Sequence, residues 1–256
     1  MFTIMKKWMV ATLLLVVAQQ VAATEVMVSA AASLTNAFKE VGAAYETKYP
    51  GAKVSLNFGA SGALQQQIAK GAPVDVFASA DQATMDLAQK EGQIIPEERK
   101  DFVRNTLVLI LPMDSKLVPP KQLSDLTQEG ITRISLGNPA TTPAGRYAQR
   151  AMEKADVWAK VESKLIMTQN VRQSLDYVVR GEVDTGFVFG TDAAIMPDKA
   201  KIAFEVPLDE KITYPVAMTS NNKVDSEKGK EAKRFIDFLL SDEGQTILGK
   251  YGFAKP

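Results

Sequence analysis

Four short stretches carry hydroxyl or amide side chains at points where a strand-like run gives way to a helix-like one. Ser33 follows Ala30-Ala31-Ala32, and Ser61 lies within Gly59-Ala60-Ser61-Gly62. Thr142 precedes Pro143 in a loop beginning at Asn138, and Asn170 precedes Val171. A helix start presents unpaired backbone N–H groups and the positive end of a dipole, so such loops can hold an anion through neutral donors. Each of the four side chains is also a preferred N-cap, and capping alone explains any one of them. The alanines and glycines beside Ser33 and Ser61 let a ligand approach the backbone closely. On pattern alone the loops are either four ordinary caps or one anion site. Arg146 and Arg172, near two of these helix starts, are read as solvated side chains on helix faces. Asp75, Asp81 and Asp192 fall near strand ends, with Asp81 an expected helix cap, and nothing marks an acid/base pair.

Composition removes most other chemistry. The 256 residues include no histidine and no cysteine. That excludes a Ser-His-Asp triad, a cysteine nucleophile, a disulfide framework, and thiolate or imidazole metal sites. Thirty Lys+Arg balance thirty Asp+Glu, so no basic excess is present to neutralise a nucleic acid. No histidine-free enzyme signature replaces what is missing, although carboxylate chemistry on the same scaffold stays open.

The elements that must position these loops alternate along the chain. Residues 1–23 are set aside first. Lys6 and Lys7 precede the apolar stretch Trp8–Ala18, and Val21-Ala22-Ala23 supplies small residues at a cleavage site. The apolar stretch is about half the twenty or so residues that a bilayer requires, so it reads as an exported protein's signal peptide rather than an anchor. Glu25–Ala30, Ala52–Phe58 and Val74–Ser79 then read as strands. Helices follow them, closed by Pro50-Gly51, Gly71 and Gly92. The apolar run Thr106–Leu111, the strand Ile131–Leu136, a helix opening at Thr142-Pro143, a helix from Asn170 closed by Gly181, and the buried strand Phe187–Phe189 repeat that grammar. Tyr214–Met218 and the helix around Phe235 form a C-terminal remainder. The order predicts an α/β protein with mostly parallel sheets flanked by helices. We expect two lobes, one from residues 24–104 and 213–256 and the other from 105–212, with ligand loops beyond the carboxyl ends of the strands.

At those loops the chain resembles the periplasmic molybdate-binding proteins of ABC importers. The similar blocks are Ala30–Phe38, Phe58–Gly62, Gly71–Asp81, Gly137-Asn138-Pro139 with Pro143–Ala148, and Asn170-Val171-Arg172. Gly186–Asp192, Tyr214–Ala217 and Tyr251-Gly252-Phe253 complete them, in order along nearly all of the chain after residue 23. The resemblance implies a two-lobed type II periplasmic binding protein, a monomer, with molybdate or tungstate held in the cleft. It implies no catalysis, no cofactor and no metal beyond the oxyanion itself, and delivery to a membrane permease. Carried over by motif, the donors are the hydroxyls of Ser33 and Ser61 and the backbone N–H groups of Ala144 and Val171. Phe189 stands where the family's tyrosine supplies a fifth hydroxyl, so that donor is absent here. Closure about Arg104–Thr106 and Ile212–Tyr214 would bury the anion. Another tetrahedral oxyanion such as sulfate is the alternative ligand, and an enzyme on the same scaffold the more distant alternative. The N-terminal pattern predicts that exported protein begins near Thr24. Intact-mass measurement should show residues 1–23 gone, and exported protein retaining Met1 would contradict the reading.

Overall fold

The computed structural model describes residues 24–256, so the signal-peptide reading of residues 1–23 lies outside the described residues. From the N-terminal end, the chain forms β1 (Thr24–Ala31), α1 (Thr35–Lys48), β2 (Ala52–Gly59), α2 (Ser61–Ala69), β3 (Val76–Ala78), α3 (Gln82–Lys90) and β4 (Lys100–Asn105). It continues through β5 (Leu107–Pro112), β6 (Ile134–Gly137), α4 (Pro143–Lys154), α5 (Trp158–Val161), β7 (Leu165–Thr168), α6 (Val171–Val179), β8 (Thr185–Phe189), α7 (Gly190–Ala193) and β9 (Ala200–Glu205). It closes with β10 (Ile212–Met218), α8 (Glu227–Leu240) and α9 (Asp242–Lys250).

These strands make two five-stranded sheets of matching design, ordered β2-β1-β3-β10-β4 and β7-β6-β8-β5-β9. Three adjacent strands of each sheet run parallel, as expected: β2-β1-β3 in the first and β7-β6-β8 in the second. The other two pairings in each sheet are antiparallel, which the sequence reading did not anticipate. The cause is connectivity. Only Thr106 separates β4 in the first sheet from β5 in the second, and residues 206–211 alone separate β9 from β10. Each passage enters the other sheet at the end where its neighbours finish, Leu107 beside Phe189 and Ile212 beside Asn105, so β5 and β10 run back against the strands they join.

Local sequence explains the elements that carry the site. α1 buries Ala37, Phe38, Val41 and Tyr45, one stripe of a helix, against the first sheet. Phe38 packs on Phe102 of β4 and Phe235 of α8, with ring centroids 5.9 and 6.3 Å away, so the C-terminal segment is tied into the first sheet's core. Gly71, Gly92 and Gly181, expected as helix stops, take φ values of +87°, +68° and +67°, the left-handed region that favours glycine.

α4 sits unusually close to β6. A Cβ at Gly145 would lie 1.9 Å from the Gly137 carbonyl oxygen and 2.6 Å from Thr142 Oγ1. This contact fixes where the first turn of α4, with Ala144 in it, meets the end of β6. Gly145→Ala should therefore destabilise the fold by about 1–3 kcal/mol or more, because helix or strand must retreat. Urea or thermal unfolding reads the effect, and an unchanged midpoint would contradict the close seating of α4.

Candidate anion-binding site

All five positions named from the sequence converge. Ser33 lies in the tight turn Ala32–Leu34 after β1, Ser61 opens α2 after β2, and Ala144 is in the first turn of α4. Val171 opens α6, and Phe189 ends β8. Together with Thr142 and Pro143 they line one small cavity between the two sheets, walled elsewhere by Ala31, Ala32, Gly59, Ala60 and Ala80. About 10 Å³ of it is open to the centre of a water-sized sphere, the scale of one small guest. No charged side chain lines it. A larger groove of about 670 Å³ runs beside the passages between the sheets. Its wall mixes Arg104, Glu205, Asp209, Glu210 and Lys211, so no single charge or donor set converges there. Chemistry, rather than volume, singles out the small cavity.

The capping reading fails for both serines. Ser61 is the first residue of α2 rather than its cap, and its Oγ accepts the Ala80 N–H at 3.0 Å. With that lone pair occupied, the Ser61 proton is available to another acceptor. Ser33 caps nothing either, and its Oγ lies 3.0 Å from Tyr214 Oη. Thr142 occupies the N-cap position of α4, yet its hydroxyl donates to the Asn138 carbonyl at 2.7 Å and takes no helix N–H. Asn170 does cap. Its Oδ1 accepts from the Arg172 and Gln173 N–H groups but not from that of Val171. Asp81 caps α3 through Thr84 N–H, as expected.

Phe189 is buried, with its ring 5.7 Å from that of Tyr214 in an edge-on arrangement. Tyr214 is the nearby phenol that sequence reasoning passed over. Burial raises its pKa well above the ordinary range, so its hydroxyl stays protonated. Asn105 donates to that hydroxyl from Nδ2 at 3.1 Å. The signal was present in the Tyr214–Ala217 block, but nothing in the sequence brings residue 214 beside residue 33.

The two arginines are not solvated. Arg146 of α4 donates from Nε and Nη2 to Asp81 Oδ2 at 2.9 and 2.7 Å, and from Nη2 to Thr84 Oγ1 at 2.6 Å. Arg172 of α6 donates from Nε to Asp192 Oδ1 at 2.5 Å, from Nη1 to Asn36 Oδ1 at 2.8 Å and from Nη2 to the Ser33 carbonyl at 3.1 Å. Each arginine belongs to the second sheet's helices and reaches residues that follow strands of the first. Both side chains are about one-fifth exposed, against 4% for Asp81 and none for Asp192. The error came from weighing each arginine on its own helix, where a charge at the first turn has no visible partner. Burial pushes the Asp192 carboxyl up to about 6, against the opposing charge of Arg172. Its Oδ2 is the one buried side-chain polar atom without a partner among the described residues. Among those residues, no group of three acidic side chains is placed to hold a metal ion.

Comparison with known proteins gives the family. The family model described as bacterial extracellular solute-binding protein matches residues 26–254. The molybdate-binding protein ModA of Escherichia coli is 34% identical over 236 residues, covering 90% of this chain and 88% of that protein. ModA of Haemophilus influenzae is 32% identical, with 91% of each chain covered. The solved periplasmic molybdate-binding protein of Azotobacter vinelandii superposes with a TM-score of 0.76 over 90% of this chain and 99% of that one. At 22% identity, it speaks to the fold alone. With the family match spanning all but the ends of the described chain, the protein belongs to the bacterial extracellular solute-binding proteins.

Proposed function

We propose that this protein captures molybdate, and its near-isostere tungstate, in the cavity between the two sheets and delivers it to the permease of an ABC importer. The observation that carries this reading is the convergence of Ser33, Ser61, Ala144 and Val171 on one uncharged cavity. The named relatives support molybdate as the ligand. No bond is made or broken. A tetrahedral dianion loses hydration on entry, and only several aligned donors offset that cost. Ser33 and Ser61 Oγ would donate from the first sheet, and Ala144 and Val171 N–H from helix starts of the second. Phe189 adds apolar wall where a fifth hydroxyl would be, so the anion is held by four donors. Sulfate has the same charge and shape, and its shorter bonds fail to reach every donor of a rigid cavity.

Residues 24–104 and 213–256 would move as one lobe against 105–212, bending where single strands pass between the sheets. Gly62 N–H donates to the Thr141 carbonyl at 2.9 Å, a bond between the two halves that opening would break. Arg146 and Arg172 tie the same two halves together on either side of the anion. The protein would act outside the cytoplasm after cleavage near Ala23. Among the described residues no helix is long and apolar enough to cross a membrane.

Calorimetric titration of molybdate, tungstate, sulfate and phosphate tests the function. Molybdate and tungstate should bind tightly, and a tight sulfate complex with no molybdate binding would favour the sulfate reading. In the same assay Ser33→Ala and Ser61→Ala should each weaken molybdate binding by about 1.5–3 kcal/mol, roughly ten- to a hundredfold. The double variant should fall short of the sum, since both donors serve one anion. Wild-type affinity in the double variant would refute the site.

Gly62→Ala separates closure from folding. A Cβ there would stand 2.7 Å from the Thr141 carbonyl oxygen, a contact made only across the cleft. Alanine also favours the helix by about 1 kcal/mol over glycine. The ligand-free variant should therefore melt at or above the wild-type temperature. Its molybdate affinity should drop about tenfold or more, in line with the 1–3 kcal/mol that overpacking costs. Undiminished affinity would contradict closure through this contact.

A further inference from the structure

A serine hydroxyl beside a tyrosine hydroxyl can give or take the shared proton, and the choice decides what the serine offers on its other side. Ser61 has no such freedom, because the Ala80 N–H can only donate to it. At Ser33 the neighbour is Tyr214 Oη at 3.0 Å, and distance alone permits either direction. The direction is set one residue further back. Thr106 N–H, a donor only, reaches Asn105 Oδ1 at 2.9 Å and so identifies which end of that amide is oxygen. Asn105 Nδ2 then faces the other way. It donates to Thr191 Oγ1 at 2.8 Å and Tyr214 Oη at 3.1 Å, using both of its protons. Tyr214 Oη therefore accepts from Asn105, and Ser33 Oγ is the remaining partner for its single proton. Ser33 receives that proton and keeps its own for the cavity.

We propose that Tyr214, oriented by Asn105, is a specificity-determining residue that acts through Ser33, committing the Ser33 proton to the bound anion and favouring oxyanions that carry no proton. This rests on the anion-binding reading above. A fully ionised oxyanion has acceptors only and meets donors on every side. A protonated oxyanion must place its hydrogen somewhere. At Ser33 it can do so only by turning the serine proton away from its acceptor, which leaves a buried donor unmet. The Thr106 that fixes Asn105 is also the single residue between β4 and β5, so the proton order at the site is anchored at the passage between the sheets.

The test compares wild type, Asn105→Ala and Tyr214→Phe in competition titrations with molybdate and inorganic phosphate at neutral pH, where phosphate retains a proton. Ligand-free melting curves accompany them. Asn105→Ala frees the tyrosine hydroxyl to accept from Ser33, turning serine lone pairs to the cavity. Tyr214→Phe keeps the ring but leaves a Ser33 lone pair unmet, which protonated phosphate can satisfy and molybdate cannot. In both variants the preference for molybdate over phosphate should narrow by about tenfold or more. If both anions weaken by the same factor in both variants, Tyr214 serves only packing and the proposal is wrong. Should Tyr214→Phe fail to fold, Asn105→Ala decides alone, because it retains ring and hydroxyl. Wild-type protein that does not bind molybdate overturns the functional reading itself, a result distinct from an unchanged preference in the variants.

Discussion

An anion entering a cavity walled by alanine, glycine and phenylalanine loses its water and meets no opposite charge. It can be held there only if several hydrogen-bond donors already point inward with their own acceptor atoms occupied elsewhere. Much of the architecture follows from that constraint. Parallel strands end together, so β1, β2, β6 and β7 all deliver their following turns or helix starts to one place. Small residues line it, and any larger side chain would fill the space proposed for the anion. Ser61 is oriented by a backbone N–H from beyond β3, and Ser33 is backed by Tyr214 from β10. The donors are neutral, but they are not free to turn.

Positive charge is present nearby and is spent on a different task. Arg146 and Arg172 stand two residues past Ala144 and one past Val171, the proposed backbone donors. Each is instead matched by a nearly fully buried aspartate. The guanidinium of Arg146 lies across the cleft onto Asp81 and Thr84, and that of Arg172 onto Asn36 and the Ser33 carbonyl. A site with neutral donors and neutralised arginines would hold its guest by geometry, which suits selection among anions of equal charge. The tie at Arg172 carries a cost, since the second oxygen of Asp192 is buried with no partner. Removing Arg172 would leave that carboxylate without its counter-charge, so tie and fold are coupled there.

How much of this the sequence disclosed depends on whether the signal was local. The strands β1, β2, β5 and β8 are apolar enough to read directly, and helix stops at Gly71, Gly92 and Gly181 were visible as glycines after amphipathic runs. The strands that went unread, β4, β7 and β9, are all sheet edges. Lys100–Asn105 has only the adjacent Phe102 and Val103 as apolar residues, and Leu165–Thr168 is too short to show a period. Ala200–Glu205 does alternate, with Ala200, Ile202 and Phe204 at a period of two, and that signal was passed over. At the site, Ser33, Ser61, Ala144 and Val171 were legible because each sits in a short motif at a strand-to-helix junction. Motif reading did not give their partners. Arg146 with Asp81, Arg172 with Asn36, and Ser33 with Tyr214 are 65, 136 and 181 residues apart. The arginine pairings exist only once the two sheets face each other, and Ser33 meets Tyr214 only once β10 joins the sheet of β1, so no window along the chain contains them.

A crystal structure with molybdate bound tests the central claim most directly. The account predicts an intact tetrahedral anion within hydrogen-bond reach of Ser33 and Ser61 Oγ and of the Ala144 and Val171 N–H groups. Arg146 should still pair with Asp81, and Arg172 with Asp192. A molybdate held against either guanidinium, with its aspartate released, would contradict it.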